Sequence, residues 1–256
     1  MHQEIATSAF VLHARPYGES DRIVTFITEQ GKVTGIAKGA KNSRRRFAGT
    51  LEPFVHVRVV FRQRSASDLV FLLRCELLAA LRTFTRDLDR FAAGSYVLEL
   101  VDRMVLGREA GREVYRLVED ALTLLDAGTP PDPLLRAFEL HLLASSGYAP
   151  ALDRCRTCGR EASAGLVYLA LERGGIVCRA CIRPGEPVRP VAAATARELA
   201  RLADGPLATA TAGAPAATLV EAAAVAEHLL GAATSGPIRT REFIARTRVD
   251  ILGGVR

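Results

Sequence analysis

With 256 residues, 49% of them apolar, the chain can form one large domain or two to three small ones, and it is too apolar to be disordered. The formal net charge is +6, tryptophan is absent and aromatic residues make up 6%, so any stacking on bases must come from a few Phe and Tyr side chains or from Arg planes. No continuous apolar run reaches the roughly 18–20 residues of a membrane span, and the opening Met-His-Gln-Glu-Ile-Ala-Thr lacks the basic and apolar regions of a signal peptide. No membrane association is therefore expected, and a cytoplasmic location is. In such a reducing compartment, paired cysteines are better read as metal ligands than as disulfides.

In chain order, five short apolar runs come first: Ser8 to Ala14, Arg22 to Thr28, Lys32 to Lys38, His56 to Arg62, and Leu69 to Glu76. Turn residues separate them, namely Pro16-Tyr17-Gly18, Gln30-Gly31, a basic loop, and Ser65-Ala66-Ser67-Asp68. Val55, Val57 and Val59 alternate with Arg58, the period of a half-buried strand. Five such strands predict a small closed barrel over residues 1–82. The five-stranded OB-fold, known for binding oligonucleotides, and an SH3-like barrel both fit this pattern.

The loop between the third and fourth runs contains Lys38-Gly39-Ala40-Lys41-Asn42-Ser43-Arg44-Arg45-Arg46-Phe47, with five cations in ten residues and no acid. Unpaired charge of this density cannot be buried, so the loop must lie at the surface. From Met1 to Thr83 there are 13 Lys+Arg against 7 Asp+Glu, and from Phe84 to Arg256 there are 21 of each, so the whole surplus lies in the first third. That asymmetry points to a polyanion, most simply nucleic acid, with Lys38, Lys41, Arg44, Arg45 and Arg46 on phosphates. A solvated loop without a ligand is the plainer alternative. Phe47 either stacks on a base or anchors the loop to the core, and Phe54, after Pro53, reads as core.

The pattern then changes to helical spacing, which predicts a bundle. One helix is expected from Arg86 to Leu106 with Asp87 and Asp89 in its first turn, and a second from Arg112 to Asp126, the two separated by a break at Gly107 and Gly111. A third, capped by Asp132, is expected to end near Ser146. His141, among leucines, reads as a bundle residue, and Glu113, Glu119 and Asp120 as a solvated face.

Cys155-Arg156-Thr157-Cys158 and Cys178-Arg179-Ala180-Cys181 are nineteen residues apart. This is the spacing of a four-thiolate zinc site, in which each pair presents two sulfurs from one tight turn, with Gly159 suited to the first. Leu166 to Leu171 and Gly174 to Val177 read as a hairpin between the pairs, which makes a zinc ribbon over 151–187. Four sulfurs leave no open coordination position, so one structural Zn2+ is expected. Redox use of either pair is the rival reading. Cys75, alone in a strand, reads as a small core residue.

Beyond the ribbon, Pro184, Pro187 and Pro190 suggest a linker. Helices are expected from Ala192 to Ala203 and from Thr218 to Leu230, with a flexible Ala/Thr/Gly/Pro stretch from Ala208 to Ala217. A last helix, from Thr240 to Leu252, would place Arg239, Arg241, Arg246 and Arg248 among Ile238, Phe243, Ile244 and Val249. Such a face suits an acidic, apolar peptide, although a plain solvated face is the simpler reading.

Ser20-Asp21-Arg22-Ile23-Val24 after Tyr17-Gly18-Glu19, then Gly31-Lys32-Val33, Lys38-Gly39-Ala40 and Leu51-Glu52-Pro53-Phe54, resemble the N-terminal domain of the bacterial RecO family of recombination mediators. The resemblance implies an OB-fold that binds single- and double-stranded DNA through the basic loop. After it would come a helical domain in two parts (83–150 and 188–256) with the zinc finger inserted between them, an α+β multidomain chain. It also implies strand annealing, a RecR-like partner, loading of a RecA-like recombinase, engagement of the acidic tail of the single-stranded DNA-binding protein, and a nucleoid-associated location. No P-loop, H-E-x-x-H, G-x-S-x-G or Rossmann signature is present, so no enzyme is expected. An RNA-binding or ribosome-associated protein and a metal-dependent nuclease are the alternatives.

Overall fold

The computed structural model describes residues 3–63, 69–107, 111–210, 213–234 and 236–244. The chain forms two compact units, one of Met1–Gly128 with Ile238–Arg256, the other of Thr129–Pro237. In this grouping the first two helices go with the strands, on which they pack. The Ser65–Asp68 turn and the end of the last helix, with Arg246, Arg248 and Val249, lie outside the described residues.

In the first unit, β1 (Gln3–Tyr17), β2 (Asp21–Thr28), β3 (Gly31–Ala37), β4 (Val55–Gln63) and β5 (Leu69–Ala80) form a closed barrel in the order β1-β2-β3-β5-β4. The 15-residue β1 makes closure possible, since Gln3 to Phe10 pair with β4 and Ala9 to Tyr17 with β2. All pairings are antiparallel except β3 with the start of β5. There Gly35 lies opposite Val70, and a Cβ on it would come within 2.6 Å of the Leu72 side chain, so this crossing needs a residue without one. Val11, Val24, Phe26, Val57, Val59, Phe61 and Leu72 fill the interior. Cys75 joins them, and burial pushes its thiol up to about 12, the behaviour of a small inert core residue.

β2 is buried on both faces for most of its length because α2 (Gly111–Asp126) packs on its outer side. The contact is close: a Cβ on Gly111 would lie 2.2 Å from the Gly31 nitrogen. α1 (Leu88–Met104) packs on β1 and α2, with Asp87 as its N-cap accepting the Arg90 N–H. Near its end, Asp102 meets Lys32 Nζ at 2.8 Å and His13 Nε2 at 3.5 Å, tying the helix to β1 and β3. Burial opposes the charge on Asp102, but hydrogen bonds from His13 and Lys32 outweigh it and bring the carboxyl to about 2. Phe54 is core, as its sequence position suggests, at a left-handed φ of 64° and stacked on Phe84 at 4.5 Å. Residues 239–244 return to this unit as a helical turn, and Glu99 of α1 accepts the N–H groups of Arg239 (3.0 Å) and Thr240 (2.8 Å).

The second unit packs α3 (Pro131–Ser145), α4 (Ala193–Asp204) and α5 (Ala216–Ala233) on one another. α3 begins at Pro131, one residue before the expected cap Asp132, so prolines rather than a side-chain cap open it. His141 Nε2 donates to the Gly205 carbonyl at 2.9 Å, a packed bundle residue as the sequence suggests. α5 is long and apolar enough to cross a membrane, the one such helix among the described residues. Its Ala222, Val225, Ala226, Leu229 and Leu230 are buried, and its Glu221 accepts the Ala192 N–H (3.0 Å) and the Thr195 hydroxyl at the start of α4.

β6 (Leu166–Ala170), β7 (Gly175–Val177) and β8 (Arg189–Ala192) form an antiparallel sheet in the order β7-β6-β8. The expected hairpin is β6–β7. The expected linker is in part a strand, because Pro190 lies on the edge strand β8, where its missing N–H need not join the ladder.

Candidate nucleic-acid interface and metal centre

The cationic loop leaves β3 and folds onto the end of the barrel. Asp21, at the start of β2, accepts the Gly39 N–H at 2.8 Å and lies 3.0 Å from Lys38 Nζ. These contacts, the backbone donor first, hold its carboxyl below the usual carboxylate range. Gly39 takes a left-handed φ of 65° and opens a 3-10 turn over Ala40–Asn42. Lys41 donates from its backbone to the Ser20 carbonyl (3.0 Å) and from Nζ to the Glu19 carbonyl (2.7 Å).

Past the turn, Phe47 and Leu51 are each 3% exposed and belong to the barrel core. The Arg46 carbonyl accepts the Cys75 N–H of β5 at 2.8 Å. Phe47 is therefore an anchor and not a stacking surface. Arg46 lies over the Phe47 ring, 5.1 Å from its centroid, and donates to the Lys38 carbonyl at 2.9 Å. Lys38, Lys41 and Arg46 thus shape the loop while remaining exposed. Arg44 and Arg45 are exposed and make no hydrogen bond or ion pair among the described residues, so their charge faces outward uncompensated.

In the second unit, the structure brings Cys155, Cys158, Cys178 and Cys181 together, with all four sulfurs within 4.8 Å of one another. Cys158 Sγ and Cys178 Sγ are 3.8 Å apart. A tetrahedron of sulfurs 2.3 Å from one ion has edges of about 3.8 Å, so the cluster fits a metal such as zinc. Gly159, at φ 72°, lets its N–H return to the Cys155 carbonyl at 2.9 Å, closing the first turn. The Cys178 N–H donates to Cys155 Sγ at 3.3 Å. Burial raises the Cys155 thiol, but N–H groups of Cys158, Cys178 and Thr157 outweigh it and bring it down to about 6, favouring the thiolate that binds metal. A bound ion would supply cross-linking between the two turns; four sulfurs leave no site on it for a substrate.

The family model described as "Recombination protein O N terminal" matches residues 1–81, and "Recombination protein O C terminal" matches residues 85–242. The chain belongs to the RecO family. Among its relatives, the "DNA repair protein RecO" of Anaeromyxobacter dehalogenans (strain 2CP-C) is 39% identical over 256 residues, 97% of each chain. That of Anaeromyxobacter sp. (strain K) is 42% identical over 208 residues, 80% of this chain and 82% of the relative. That of Syntrophus aciditrophicus is 37% identical over 197 residues, 75% and 76% of the two. Membership of the RecO family gives a general role in DNA repair and recombination, and the cysteine cluster adds a metal-binding character.

Two features of this RecO-family chain escape a sequence reading. Arg173 donates to the Thr157 hydroxyl (2.6 Å) in the first cysteine turn and to the Cys181 carbonyl (3.1 Å) in the second. It is paired with Glu186 at 2.5 Å, with side chains only 12% and 8% exposed. One guanidinium therefore spans both metal-binding turns. The second feature is Asp21, an acid that organises the cationic loop. Arg173 carries no sequence signal, and Asp21 stands in a family motif that does not tell its role, because each acts on residues distant along the chain.

Proposed function

We propose that the protein is a non-enzymatic recombination mediator. It binds single- and double-stranded DNA through the basic end of an OB-fold barrel and anneals complementary strands by neutralising their phosphates. The long, doubly paired β1 and the order 1-2-3-5-4 support the OB reading over an SH3-like barrel. With a RecR-like partner it promotes loading of a RecA-like recombinase on single strands coated by the single-stranded DNA-binding protein, whose acidic tail it engages. These partners follow from the family resemblance, as does a cytoplasmic, nucleoid-associated location. The metal in the cysteine cluster is one structural zinc per chain.

The observation that carries the DNA interface is the pair of outward, uncompensated cations at Arg44 and Arg45 on a loop plugged into the barrel by Phe47 and Leu51. Charge held in place on a rigid support neutralises phosphates without first ordering the loop. The test is Arg44→Ala with Arg45→Ala in the full chain, titrated with a single-stranded oligonucleotide over a range of salt. Affinity should fall, and the slope of log affinity against log salt should flatten by about 1.4, roughly 0.7 per lost contact. An unchanged affinity and slope would remove the loop from the interface.

A further inference from the structure

The sequence offered Phe47 as the aromatic of the basic loop, and the structure buries it. A different aromatic stands beside that loop in the open. Tyr17, the last residue of β1, is 52% exposed. In the antiparallel register it lies directly opposite Asp21. Residues so paired project from the same face of a sheet with Cβ atoms about 5 Å apart. Asp21 reaches from that face to Lys38 Nζ and the Gly39 N–H at the root of the cationic loop. Two residues earlier on β1, Arg15 shares the face of Tyr17, since side chains alternate along a strand. Arg15 is exposed and without a hydrogen bond or ion pair among the described residues. The order across this face is therefore Arg15, Tyr17, Asp21, Lys38, with Asp21 already engaged by the lysine and the backbone, while the turn that follows Tyr17 carries a second, exposed acid, Glu19.

The hairpin turn after Tyr17 is also fixed. Its Glu19 and Ser20 carbonyls accept the side-chain and backbone donors of Lys41. The ring is thus carried on a braced turn between cations. A solvated tyrosine ring keeps apolar area in water for no structural gain, whereas an unpaired base can cover it. Cations on either side would hold the phosphates that flank such a base.

We propose that Tyr17 is a base-stacking platform that makes the interface favour unpaired DNA over duplex. This rests on the reading of the basic loop as a DNA interface and adds its specificity element. A duplex offers its phosphates to the same cations but keeps its bases stacked on one another, so it gains nothing from the ring.

The experiment compares Tyr17→Ala and Tyr17→Phe with the parent in the full, metal-loaded chain. The probes are a fluorescein-labelled thymidine 30-mer and a mixed-sequence duplex of equal length, read by anisotropy across salt. Tyr17→Ala should weaken single-strand binding about tenfold, within the range measured for lost base–aromatic stacking. It should change duplex binding less than twofold and leave the salt slope unaltered, because no phosphate contact is lost. Tyr17→Phe should retain the parent's preference. Equal losses on both probes, an unchanged single-strand affinity, or a changed slope would overturn the proposal. The Arg44→Ala, Arg45→Ala variant is run alongside. If it weakens binding and Tyr17→Ala does not, the platform fails and the interface stands. If it has no effect while Tyr17→Ala weakens single-strand binding alone, the loop reading fails and the proposal, which sets the ring beside that loop's phosphate contacts, is overturned with it.

Discussion

The cationic loop and the cysteine turns are both irregular segments rich in arginine, yet they are ordered by opposite means. The loop sends Ala40, Phe47 and Leu51 into the barrel core and lends a carbonyl to β5, so the protein's own apolar packing holds it. The cysteine turns have only a small apolar cluster, Cys155, Ala170 and Val177 with a few half-buried neighbours, and rely on four converging sulfurs and one guanidinium. Small segments that cannot bury enough surface commonly take their stability from a metal. The lesson is that apolar packing within the chain orders the loop, whereas the cysteine turns are held by little besides groups that a metal could join.

The sharpest test of that contrast removes the metal. Chelation, or Cys155→Ser, should strongly lower the thermal stability of the second unit, since metal binding there is folding energy of up to about 10 kcal/mol or more. Oligonucleotide affinity should survive. Scanning calorimetry with an anisotropy titration on the same sample checks both, and loss of DNA binding on chelation would break the comparison. The converse experiment is Phe47→Ala, which should cost the first unit about 3–5 kcal/mol by leaving a cavity in the barrel. It should leave the metal content, measured by mass spectrometry, at the parent's level. A smaller effect sharpens the picture of the metal centre. Glu186→Gln removes the partner that fixes Arg173, and should speed metal transfer to a chromogenic chelator about tenfold, the lower end of losses seen when residues behind metal ligands are changed. An unchanged transfer rate would mean that the sulfurs alone hold the geometry.

What was legible in the sequence follows the same division. Alternation around Arg58 exposed β4, a continuous apolar run between turn residues exposed β2, which is buried on both faces, and the paired cysteines announced their centre by spacing. The first residues of β1 were not legible, since Gln3 to Thr7 pair only with β4, far along the chain. β8 was hidden by its proline, which reads as a linker until the strand is seen at a sheet edge. Composition could place five cations at the surface but could not divide them. That Lys38, Lys41 and Arg46 serve the loop's shape while Arg44 and Arg45 face outward depends on Asp21, Glu19 and Phe47, which only the folded chain brings near. The burial of Phe47 and the exposure of Tyr17 are likewise tertiary facts, since either ring could have served as plug or platform.

The carboxylate of Glu99, closed over the amides of Arg239 and Thr240, has a consequence for how the molecule is made. The first unit is interrupted: its barrel and two helices emerge early, and its closing turn emerges only after all of Thr129–Pro237. On the ribosome, the barrel and its two helices are made before the whole second unit, and until that unit is complete Glu99 has Arg103 of its own helix as a partner but not the two amides. Completion of the first unit therefore follows synthesis of the second, although its strands precede that unit along the chain.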